Sequence, residues 1–95
     1  MPSVTRKGDK NTGHELFQPV PLKSGSPNVF INGVPCGRQT DSYEDHSDPF
    51  SPPHSGSISG GSSTVFVNGL PIARVGDSVS CGGTVAEGSP NVSAN

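Results

Sequence analysis

One pattern recurs three times along this chain, and no other feature restricts the fold as strongly. The fullest copy is Ser63-Thr64-Val65-Phe66-Val67-Asn68-Gly69-Leu70-Pro71-Ile72-Ala73-Arg74-Val75-Gly76-Asp77. An earlier copy runs Pro27-Asn28-Val29-Phe30-Ile31-Asn32-Gly33-Val34-Pro35-Cys36-Gly37-Arg38-Gln39-Thr40-Asp41, with Thr40 standing where the fullest copy has Gly76. The third copy is split. Its first half is Ser89-Pro90-Asn91-Val92-Ser93-Ala94-Asn95, and its second half is Val4-Thr5-Arg6-Lys7-Gly8-Asp9. The predicted fold is all-β: one domain over residues 1–95, built as a small pseudo-threefold set of short hairpins and loops. The two termini should lie side by side and complete the third hairpin without a covalent turn, which also protects open sheet edges.

Local chemistry supports the hairpins. Asn32-Gly33 and Asn68-Gly69 are suited to two consecutive residues at positive φ, the requirement of a type I′ turn. Each pair follows a Val-Phe run rich in β-formers and precedes Pro35 or Pro71, which cannot donate to a ladder and so marks an edge or bulged strand. Asp9, Asp41 and Asp77 hold equivalent places and read as turn formers that accept local backbone hydrogen bonds. No segment carries a helical apolar period, and Gly, Pro and Ser interrupt every window. The stretch 42–62, rich in Ser, Pro, Gly and His, reads as a long loop, either mobile or pinned by a ligand. Phe30 and Phe66 are candidates for the core or for the base of the molecule.

Only 28% of the residues are hydrophobic, with 13 Gly and 10 Pro. Such a chain cannot bury a large core, so its stability should come from a metal, a disulfide or a partner. The net charge is −2 and no Lys/Arg run or aromatic-basic stripe occurs, which speaks against nucleic-acid binding. No apolar stretch reaches membrane-spanning length, and no signal peptide opens the chain. If the protein leaves its cell, something else must carry it.

The soft ligands fall in register with the repeat. His14 stands eight residues after Arg6, and His46 stands eight after Arg38. In the last copy that place is Gly82, with Cys81 one residue earlier. Threefold symmetry brings equivalent positions together at its axis, and His54 from the long second loop can add a fourth donor. Three imidazoles and one thiolate form a closed tetrahedral set of the kind that holds structural zinc, with iron as the alternative ion. The spacing matches no Cys-x-x-Cys zinc pattern. Cys36 aligns with Ile72 and reads as a small buried filler. A Cys36–Cys81 disulfide would destroy the metal set, but two cysteines and no signal peptide rank it lower. A small zinc-dependent hydrolase is the competing functional class. Against it, there is no Gly-x-Ser-x-Gly elbow and no phosphate-cradling loop, and four protein donors leave no open position on a zinc ion.

Pro71-Ile72-Ala73-Arg74-Val75-Gly76-Asp77, the Val-Phe-x-Asn-Gly before it and Ser80-Cys81-Gly82-Gly83 after it resemble the PAAR-repeat family. Gly13-His14, His46, His54 and the Gly-Ser-Pro-Asn-Val near the end resemble it too, so the likeness spans essentially the whole chain. Ile72 departs from the motif's Ala, and the second copy is weakened between Cys36 and Asp41. The resemblance implies a small β cone with a metal near its vertex, held by His14, His46, His54 and Cys81. It implies a monomer whose broad base sits on a trimeric β-helical spike protein, a phage central spike or a VgrG-like one, and whose tip pierces a target membrane. Its place would be a virion tail tip, or the bacterial cytoplasm before secretion by a type VI machine. A single chain that must satisfy a threefold partner gains from presenting three equivalent hairpins.

Overall fold

The two Asn-Gly steps turn the backbone in the left-handed sense that their residue types allow. The computed structural model describes residues 1–14, 17–48 and 51–95. In it, φ is 56° at Asn32 and 77° at Gly33, and 55° at Asn68 and 78° at Gly69. The first turn joins β1 (Phe30–Ile31) to β2 (Val34–Pro35). Next come β3 (His46–Asp48) and β4 (Ser51–His54), then β5 (Phe66–Val67) and β6 (Leu70–Pro71), which flank the second turn. All three pairs are antiparallel. The described residues contain no helix, and thus none long and apolar enough to cross a membrane.

The third hairpin is assembled from the two ends, as the split repeat requires. Val4 N–H donates to Val92 C=O at 3.0 Å and Ala94 N–H donates to Pro2 C=O at 3.1 Å. The same bond in the covalent hairpins runs from Cys36 to Val29 and from Ile72 to Val65. Proline is accommodated because only its acceptor is used: Pro35 C=O accepts from Lys7 N–H, and Pro71 C=O accepts from Gln39 N–H.

Each lobe is tied to the next by a ring of hydrogen bonds. Thr5 N–H donates to Ala73 C=O, Ala73 N–H to Gly37 C=O, and Gly37 N–H to Thr5 C=O, at 3.1, 3.1 and 3.0 Å. The lobes approach closely here because their side chains are small. A Cβ on Gly37 would stand 2.7 Å from Thr5 Cγ2 and 3.0 Å from Leu22 Cδ2. On the hairpin side of this ring lies one apolar cluster, Val4, Cys36, Val67, Ile72 and Ala94. A second cluster, Leu22, Tyr43, Ile58, Ala73, Val79 and Val85, leads away from the hairpins, with Cys81 packed against it. The molecule measures 39 × 23 × 22 Å. Its two short extents are nearly equal, as threefold symmetry about the long axis demands.

Polar side chains repeat with the same period. Arg6–Asp9, Arg38–Asp41 and Arg74–Asp77 pair at 3.0, 3.0 and 2.9 Å. Each aspartate also accepts the backbone N–H of its arginine, which is the local turn-forming role expected of it. Ser26, Ser62 and Ser89 are buried, and each hydroxyl accepts the N–H groups two and three residues on. These serines close the entry to each hairpin. They escaped the sequence reading although Ser-x-x-Val recurs in all three copies.

The stretch 42–62 corrects its reading as a loop. It contains β3 and β4, which set His46 opposite His54 with an irregularity in register between His46 and Asp48. Proline at Pro52 and Pro53 conceals the strand in the sequence. Cys36 and Cys81 are both free thiols, so the rival disulfide is absent. Cys36 is fully buried in the hairpin cluster. Phe30 and Phe66, left open between core and surface, are 54% and 56% exposed.

Candidate metal centre

Four side chains converge at the far side of the second cluster from the hairpins. His14 follows the segment that turns at Gly8 and Asp9, and His46 opens β3 at the matching place in the second lobe. His54 ends β4 directly across from His46. Cys81 comes from the third lobe. One donor atom from each of the four lies within 4.8 Å of every other. His14 Nε2 is 3.1 Å from His54 Nε2, and His46 Nε2 is 2.9 Å from His54 Nε2. Cys81 Sγ is 3.8 Å from His46 Nε2. Zinc bonds of ordinary length place tetrahedral N···N and N···S edges at about 3.3 and 3.6 Å, close to these separations.

Proton placement also favours a cation at this point. His46 Nδ1 faces the carbonyl oxygen of Gln18 at 2.8 Å. A carbonyl only accepts, so Nδ1 carries the hydrogen and a neutral His46 presents a bare Nε2. His54 Nε2 then faces two nitrogens with at most one proton of its own, and both contacts cannot be linear hydrogen bonds. A cation at the centre satisfies every lone pair at once. The Gln18 carbonyl is the kind of outer partner that fixes the tautomer of a ligating imidazole.

The third lobe supplies sulfur in place of a third register histidine for steric reasons. Gly82 has φ of 109°, and a Cβ on it would meet the His14 ring at 3.3 Å. The His14 imidazole therefore occupies the space that a side chain at 82 would need, and the donor shifts back to Cys81. Gly56 makes room for that donor: its missing Cβ would stand 2.5 Å from Cys81 Sγ. Burial pushes the Cys81 thiol above its ordinary value. The free chain thus holds it as a thiol, and coordination must expel its proton.

Phe17 is a site residue that spacing did not reveal. It is 9% exposed, and its ring lies 4.7, 4.9 and 4.2 Å from the rings of His14, His46 and His54. It has no counterpart in the other copies, so the repeat register gave no signal for it. No ligand-sized pocket opens among the described residues. Comparison with known proteins finds one match to a family model, that of the PAAR motif, over residues 12–87, well over half of the chain. No curated protein matches the chain.

Proposed function

The chain belongs to the PAAR-motif family, the spike-tip proteins of contractile injection systems, and on that premise we propose that it caps and sharpens a trimeric β-helical spike and pierces a target membrane. The observation that carries this reading is the pair of exposed aromatics. Phe30 and Phe66 occupy equivalent places on two of three symmetry-related hairpins, at the end away from His14, His46, His54 and Cys81. Exposed large apolar side chains grouped on one end mark a contact surface. Their repetition by lobe suits a partner with three identical subunits.

The site at the other end is structural in this reading. His14, His46, His54 and Cys81 hold a divalent ion, zinc by preference for an N3S set, and the bound ion ties all three lobes together near the point. Four protein donors leave no position for a substrate or an activated water, which sets this centre apart from hydrolytic zinc sites. Contraction of the machine drives the point forward, and the chain's own part is to resist unfolding under that load. In this reading the protein rides the spike from the bacterial cytoplasm or at a phage tail tip.

Capture by an immobilised trimeric β-helix fragment tests the docking. The parent chain should be retained, and a Phe30→Ser/Phe66→Ser variant should bind at least about tenfold more weakly, the scale expected from removing two aromatic anchors. A parent chain that passes through unretained overturns the reading.

A further inference from the structure

We propose that Phe17 is the positioning residue of the metal centre, a ring that backs all three imidazoles and slows escape of the ion. The inference rests on the metal reading above and adds to it a residue outside the ligand set. Three observations carry it. First, the separations among the rings of Phe17, His14, His46 and His54 all fall between 4.2 and 5.2 Å, so the four rings form one packed cluster. Phe17 is the only member without a donor atom. Second, its backbone is locked to a ligand. His14 N–H donates to Phe17 C=O at 3.1 Å and Phe17 N–H donates to His14 C=O at 2.7 Å. Third, the carbonyl that orients His46 belongs to Gln18, the next residue. One short segment therefore supplies a ligand, a hydrophobic backing for three ligands and the hydrogen-bond acceptor for another.

The physical role follows from ring geometry. An imidazole can swing about its χ1 and χ2 angles, and three rings must stay aimed at one point for their lone pairs to converge. A large apolar ring touching all three blocks those rotations together. It also occupies volume that water would otherwise take next to the nitrogens. Groups outside the ligand set that orient the ligands typically change metal affinity by about 10–100-fold when removed. A ring that acts by packing should express this mainly in the rate of release.

Cobalt(II) is the probe, because its visible absorption distinguishes four-coordinate from higher-coordinate sites. The full chain is loaded with cobalt(II) or zinc(II), and transfer to a chelator is followed in the parent, Phe17→Leu and Phe17→Ala. Expected are release about tenfold or more faster in Phe17→Ala, a weaker cobalt band as water joins the coordination, and intermediate behaviour for Phe17→Leu, which restores apolar volume without the ring. If Phe17→Ala fails to fold, Phe17→Leu alone should still release faster than the parent. Release rates and spectra within twofold of the parent in a folded variant overturn the proposal. A parent chain that takes up neither metal fails at an earlier step, since it removes the metal reading itself.

Discussion

Thr40 stands at φ of 83°, where its two equivalents are Gly8 at 95° and Gly76 at 94°. A β-branched residue is strained there, and Thr40→Gly should raise stability by about 1 kcal/mol, the lower end of the strain in such a conformation. Urea melting checks it. The departure was visible in the sequence as a broken Gly-Asp ending; that the backbone keeps its path regardless was not, because the Arg38–Asp41 bridge imposes the turn from outside. Gly37 presents the reverse case. Gly37→Ala forces a methyl against Thr5 and Leu22 and should cost about 1–3 kcal/mol. Nothing local to Gly37 announces this, since the clash comes from another lobe. Cys36 bears on pH. Burial pushes its thiol from 9.0 up to about 11, and the buried Tyr43 hydroxyl is also raised. The unfolded chain therefore loses these protons first, so the Cys36 contribution is intact below pH 9 and is lost as pH climbs from 9 toward about 11, while that of Tyr43 begins to fall only above pH 10. Cys36→Val, which copies the apolar residues Val4 and Ile72 of the other lobes, should flatten that alkaline decline in thermal melts.

Between residues and lobes stands the β3–β4 hairpin, the element least legible beforehand. Its strands carry Pro52 and Pro53 and no alternating apolar pattern, so neither propensity nor period marks it. What its pairing does is bring His46 and His54 face to face. The β1–β2 and β5–β6 hairpins were legible because an Asn-Gly turn follows a run of β-formers in each. Gly56, just beyond β4, gives a test at this scale. Gly56→Ala should displace the Cys81 thiol while leaving the three imidazoles in place. Zinc affinity should then fall by an order of magnitude or more, with the absorption of cobalt–thiolate charge transfer lost before the fold is.

For the whole molecule, the repeat register predicts that His14, His46 and Cys81 come together and that the termini meet, and the structure shows both groupings. It gave no sign of Phe17 or of the ring through Thr5, Gly37 and Ala73, both of which depend on how distant segments meet in space, whereas the buried serines were marked by the recurring Ser-x-x-Val. Chelation should lower Tm by roughly 10–20 °C, given about 2.7 kcal/mol of linkage at a hundredfold excess over Kd and a shift of 4–8 °C per kcal/mol in a domain of this size. Removing residues 92–95 strips the buried Ala94 and the bonds to Val4 and Pro2, and should abolish cooperative melting in circular dichroism. The Thr5–Ala73–Gly37 ring adds something about how the chain gets there. Any two lobes can share one of its three bonds, but the arrival of the last lobe closes two at once. Half-built states are therefore poorly rewarded whichever pair forms first, and the sequence distances spanned are long. Refolding should be slow, single-exponential and indifferent to which repeat is weakened, as in an arch that stands only when its final stone is set.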